Sequence, residues 1–99
     1  MDQGQALAAL GALAQETRLQ LYRLLATSGS AGLSAGNIAE RLGVIPSSLS
    51  FHLQHLVQAG LITQQRVGRL MIYAAEYDAM SALLAYLTEN CCARESAAA

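Results

Sequence analysis

The chain has 99 residues, 54% of them hydrophobic and 13% charged; that length allows one domain with one core. So small a core cannot hide that much apolar surface alone, which implies a second subunit covering part of it. The net charge of −1 excludes a strongly basic or acidic chain, and only its distribution can point to a charged partner.

In chain order, Ala6, Leu7, Leu10 and Leu13 place a first helix over residues 3–14. A second begins at Glu16, whose charge suits a helix N-terminus, and carries Leu19, Leu21, Tyr22, Leu24 and Leu25 to about residue 27. SGSAGLS (28–34) reads as a loop, with Ser34 as N-cap of a short helix, AGNIAERL, that stops at Gly43. Pro46 opens the next helix, where its missing N–H costs nothing, and Gly60 closes it. The period then changes. LITQQRV and LMIYAA are β-rich runs around Gly68–Arg69, a hairpin signal. A last helix, from residue 76 or 78 to about 90, carries Met80, Leu83, Leu84 and Leu87. Apolar runs are broken every few residues by Gln, Arg, Glu or Ser, so no membrane span is expected. The start MDQGQALAAL has no basic region and no signal-type apolar core, so the chain reads as cytoplasmic.

The stretch from Ala35 to Val57 has the spacing of a helix-turn-helix. Ile38, Ala39 and Leu42 face inward from its first helix, and Leu49, Leu53, Leu56 and Val57 from its second. Ala39 is small where crossing helices touch, and Gly43 can take the left-handed conformation of a sharp turn. The second helix of such a unit enters the DNA major groove. With Leu49 at the core centre, Ser47, Phe51, Gln54 and Gln58 point outward, and Ser48, Ser50, His52 and His55 flank them. Short hydroxyls and amides at a helix N-terminus suit phosphate, while Gln54 and His55 suit base edges. Each residue alone is read equally well as ordinary solvated surface; as a set behind the turn pattern they point to DNA. His52 and His55 have the i, i+3 spacing of a chelate, but no third ligand is near them in sequence. The competing reading has His52 packed or bonded to a phosphate and His55 in the groove.

Charge placement supports the same face. Residues 41–75 contain no Asp or Glu yet carry Arg41, Arg66, Arg69 and both histidines. Arg66 and Arg69 surround the hairpin tip, where a basic wing grips phosphates or enters a minor groove. A chance gap in a sparsely charged chain is the plainer account of the same distribution. No C-x-x-C, βαβ pattern, phosphate loop or Ser/His/acid set is present, so an enzyme is not expected and no catalytic residue is assigned.

The segments ETRLQLYRLL (16–25), NIAERLGVIPSSLSFHLQHLVQAGLI (37–62) and RVGRLMIY (66–73) resemble the ArsR/SmtB winged-helix repressors, and the likeness spans residues 7–92. It implies a mainly α fold with a small β-hairpin wing, in the order α-α-α-α-β-β-α. It also implies a homodimer paired through its first and last helices, bound to double-stranded palindromic operator DNA and released by a metal or metalloid. Residues 1–92 would form this DNA-binding and dimerisation domain and 93–99 a flexible tail. Two of the family's inducer sites are empty in this chain. The arsenic-sensing C-x-C-x-x-C falls on Ser34, Gly36 and Ala39, and of the zinc-sensing Asp, His, His, Glu set only Asp78 and Glu89 remain. Glu89, Asn90, Cys91 and Cys92 match a subgroup whose last helix ends in E-N-C-C and which senses trivalent arsenic or antimony. No resident cofactor is implied.

Soft thiolates suit such thiophilic centres. Neighbouring side chains diverge by about 100° inside a regular helix, so a vicinal pair must sit at a frayed end to reach one atom. Inorganic As(III) prefers three sulfurs, and this chain has two cysteines. The third ligand would be a partner-chain thiol, a small thiol or water, whereas a methylated arsenical needs only two. Two other readings stay open. Cys91 continues the apolar stripe of the last helix, as a small buried side chain does. The pair also suits a redox or persulfide-sensing repressor of the same fold.

Overall fold

The computed structural model describes residues 1–91; Cys92 and the tail expected over 93–99 lie outside the described residues. Asp2 starts the first helix, α1 (Gln3–Leu13), through a capping box: its carboxylate accepts from the Gln5 amide at 2.7 Å, and the Gln5 side chain accepts from the Asp2 amide at 2.9 Å. The buried stripe of α1 is Ala6, Ala9 and Ala12, while Leu7 and Leu10 are 60% and 39% exposed. The expected helix is present, but its alanines are buried while Leu7 and Leu10 face outward and Leu13 packs half-buried against the core. Alanine at every inward turn lets α1 lie close against its neighbours.

Gln15 caps α2 (Glu16–Ser28), accepting from the Arg18 amide at 2.8 Å. Leu21, Tyr22 and Leu25 enter the core, and the Thr27 and Ser28 hydroxyls donate to carbonyls of the last turn. The following segment, expected to be all loop, contains a two-residue strand, β1 (Leu33–Ser34). Two residues are too short to carry a period. What creates the strand is Gly32, whose φ of +73° and lack of a Cβ let the chain press against the Tyr73 carbonyl.

Ser34 caps α3 (Ala35–Leu42) by accepting from the Asn37 amide at 3.2 Å, and Gly43 ends it in the left-handed conformation at φ 66°. Pro46 opens α4 (Pro46–Gln58) at its first turn. Ile38 of α3 and Leu49, Leu53 and Leu56 of α4 are fully buried against Leu21 and Leu25, so the helix-turn-helix is seated on α2. The wing strands β2 (Ile62–Val67) and β3 (Leu70–Ala75) pair antiparallel from Ile62↔Ala75 to Val67↔Leu70, and β1 adds to the other edge of β3 in the order β1-β3-β2. The helix α5 (Tyr77–Leu87) buries Leu83 and returns across α1. It stops about one turn earlier than expected. The Thr88 hydroxyl takes the Leu84 carbonyl at 2.7 Å, and Asn90 adopts a left-handed φ of 58° in the turn that follows.

Candidate nucleic-acid interface

The first turn of α4 has donors with no side-chain acceptor. Its N-cap is Ile45, which carries no side-chain oxygen, so the amides of Ser47 and Ser48 point out of the helix end unsatisfied by a cap. Along the helix, Ser47, Ser50, Phe51, Gln54, His55 and Gln58 are exposed, Ser48 and His52 are half-buried, and Leu49, Leu53 and Leu56 are buried. The expected inward and outward faces are therefore the observed ones, and the outward row lies on one side of a helix held rigidly from below.

Phe51 sits among the imidazoles. Its ring centroid is 4.6 Å from that of His55 and 5.7 Å from that of His52, both edge-to-face. His52 turns toward α2, where its Nδ1 lies 3.4 Å from Nη1 of Arg18. An arginine can only donate, so Nδ1 accepts and the ring proton belongs to Nε2. Burial, then Arg18, then His55, hold the His52 pKa below its ordinary value, which keeps this tautomer neutral. Arg18 also donates from Nε to the Ala12 carbonyl at 2.6 Å. One side chain thus links the end of α1 and the body of α2 to the recognition helix. Sequence reasoning missed Arg18: it stands 34 residues from His52, and no local pattern joins them.

Arg66 is exposed on β2 opposite Met71, and Arg69 is exposed in the turn closed by the Val67↔Leu70 pair. Gly68 takes a φ of +63° there. On α3, Arg41 donates to the Asn37 side chain at 2.7 Å and stays on the surface. All three exposed arginines belong to the acid-free stretch of the sequence.

At the other end of the chain, Cys91 is exposed, in a turn where its amide donates to the Thr88 carbonyl at 2.8 Å. It is not a core side chain. Ser34 serves as a helix cap, and among the described residues no three His, Cys, Asp or Glu side chains converge on a metal position.

Comparison with known proteins decides the family. Residues 13–65 match the Helix-turn-helix domain family. The chain is similar to the HTH-type transcriptional regulator YgaV of Escherichia coli strain K12, with 35% identity over 89% of this chain and 87% of that one. It belongs to the helix-turn-helix transcriptional regulators. An ArsR-like transcriptional regulator from Rhodococcus sp. RHA1 has the same fold, with a TM-score of 0.80, 27% identity, and coverage of 94% of this chain and 84% of that one. A solved structure described as a possible transcriptional regulator for arsenical resistance is similar at 31% identity and a TM-score of 0.69, over 92% of this chain and 95% of that one. As a member of that class, the chain is a DNA-binding transcription factor with an ArsR-like winged helix-turn-helix, not an enzyme. No helix among the described residues is long and apolar enough to cross a membrane.

Proposed function

We propose that this ArsR-like regulator is a cytoplasmic homodimeric repressor that leaves its operator when trivalent arsenic or antimony, methylated arsenicals included, binds Cys91 and Cys92. The observation that carries the reading is where Cys91 stands. Cys91 lies exposed in the turn directly after α5, whose Leu84 and Leu87 are 55% and 51% exposed. Leu7 and Leu10 of α1, which packs against α5, are also exposed, so both helices keep apolar side chains uncovered. Burying the exposed half of each such leucine in a dimer is worth about 1 kcal/mol. Ligation at the end of a dimerising helix would shift one subunit against the other and change the spacing of the two recognition helices. Resemblance to the E-N-C-C subgroup and similarity to a possible arsenical-resistance regulator support the choice of inducer.

The same reading assigns the DNA contacts. Ser47, Ser48 and Ser50 meet phosphates with their hydroxyls and the open amides of the first turn. Gln54 and His55 read base edges beside Phe51, His52 steadies the helix through Arg18, and Arg66 and Arg69 of the wing reach the minor groove or its phosphates. On this reading residues 1–92 carry both the DNA-binding and the dimerisation surfaces. In the ligand exchange, two thiol protons leave with two hydroxyls of As(OH)3 as two waters, and two As–S bonds replace two As–O bonds.

Gel-shift titration of the full chain on a palindromic promoter duplex, with arsenite or antimonite added under reducing, anaerobic conditions and peroxide added in a separate arm freed of reductant, tests this. Arsenite should release the DNA, and Cys91→Ser/Cys92→Ser should bind it as tightly but stay bound. Release by oxidant alone would make the pair a redox sensor. Loss of binding in the serine variant would make the thiols structural.

A further inference from the structure

The chain has one phenylalanine, and it stands on the outward face of α4 with 60% of its surface exposed. It lies one turn beyond Ser47 and one turn before His55, in the N-terminal half of the recognition helix, where side chains reach base edges. A phenyl ring contributes nothing to a phosphate and cannot bond to a base donor or acceptor. The one apolar group that the major groove displays is the C5-methyl of thymine. Both imidazoles meet the ring edge-to-face, His55 at 4.6 Å and His52 at 5.7 Å between centroids. Three residues further along, Gln54 is exposed on the same face, and a glutamine amide matches the N6/N7 edge of adenine. Phenyl and amide side by side therefore fit the two halves of an A·T-containing step, methyl and purine edge together.

We infer that Phe51 reads the operator directly, packing its ring on the C5-methyl of a thymine in each half-site. The inference rests on the DNA-binding reading of α4 and gives it a base identity. Removing one buried methyl should weaken binding about fourfold, and removing it in both half-sites about fifteenfold.

Selecting duplexes from a random library with the full chain, then replacing each thymine of the best binder by deoxyuridine, tests this without perturbing the protein. The expected result is one thymine per half-site whose methyl matters for the wild type and is indifferent to Phe51→Ala. Because the ring is mostly exposed, that variant should keep its thermal stability. A wild type that binds the selected duplex but ignores every deoxyuridine would overturn the assignment, as would an undiminished deoxyuridine effect in Phe51→Ala. Failure to select any duplex would instead remove the DNA-binding reading, and this inference with it.

Discussion

Arg18 and His52 meet at 3.4 Å between α2 and the recognition helix, and the same guanidinium holds the Ala12 carbonyl of α1 at 2.6 Å. The outward face of α4 is therefore oriented by a polar contact as well as by Leu49, Leu53 and Leu56 below it. Replacing Arg18 by Met keeps much of the aliphatic stem and removes both bonds. A half-exposed charged hydrogen bond is worth about 1–2 kcal/mol, so the melting temperature should fall by roughly 5–10 °C. An unchanged melting temperature would show that the contact contributes nothing to stability.

The same contact sets a pH dependence. The folded pKa of His52 lies below the ordinary 6.5, through burial first, then Arg18, then His55. The unfolded chain therefore binds more protons as pH falls, and stability decreases. The contribution of neutral His52 is complete above 6.5 and is lost as pH drops through the folded value. Thermal melts should show a lower midpoint at about pH 5.5 than at about pH 7.5, and a smaller difference in His52→Gln. An equal difference in the variant would assign the effect to other groups.

Gly32→Ala tests the joint between α2 and the helix-turn-helix. A Cβ there would strike the Tyr73 carbonyl, and the φ of +73° disfavours any side chain. Backbone strain and overlap together should cost about 3 kcal/mol. Unfolding in urea should shift to clearly lower concentration with an unaltered slope. Gly29→Ala has a positive φ but nothing within 4 Å, so it should cost less.

The helix-turn-helix was legible because its signals are local. Gly43 and Pro46 fix the turn, and the period of Ile38, Leu49, Leu53 and Leu56 fixes the inward face. The inward face of α1 was not legible, since a run of Ala and Leu gives no contrast between sides; tertiary packing chose the alanines. Strand β1 and Arg18 were missed because both are defined by partners far along the chain, Tyr73 and His52. The end of α5 was placed too late because Thr88 and Asn90 act through side-chain bonding and left-handed tolerance rather than through hydrophobic period.

Arg66 and Arg69 flank the tip of the wing, both exposed. If both neutralise phosphates, Arg66→Ala and Arg69→Ala should each weaken binding on specific and nonspecific duplexes alike. Each should also flatten the plot of log affinity against log salt by about one. A slope equal to the wild type in both variants would take the wing out of the interface.

The last prediction concerns valence. On the proposed function, arsenite bound by Cys91 and Cys92 would keep one hydroxyl that a third sulfur normally replaces, since this chain has no third cysteine. A methylated trivalent arsenical carries a methyl there, so two As–S bonds complete its binding with release of two waters and no further ligand. Soft thiolates should therefore hold it at least as well as arsenite. Titrating both into the regulator–DNA complex, with and without an added small thiol, separates the two cases. Methylarsenite should release DNA at equal or lower concentration, and the small thiol should improve arsenite alone, by supplying its missing sulfur. If arsenite releases the DNA while methylarsenite does not, the site must draw a third ligand from the protein, and the two-thiol account fails.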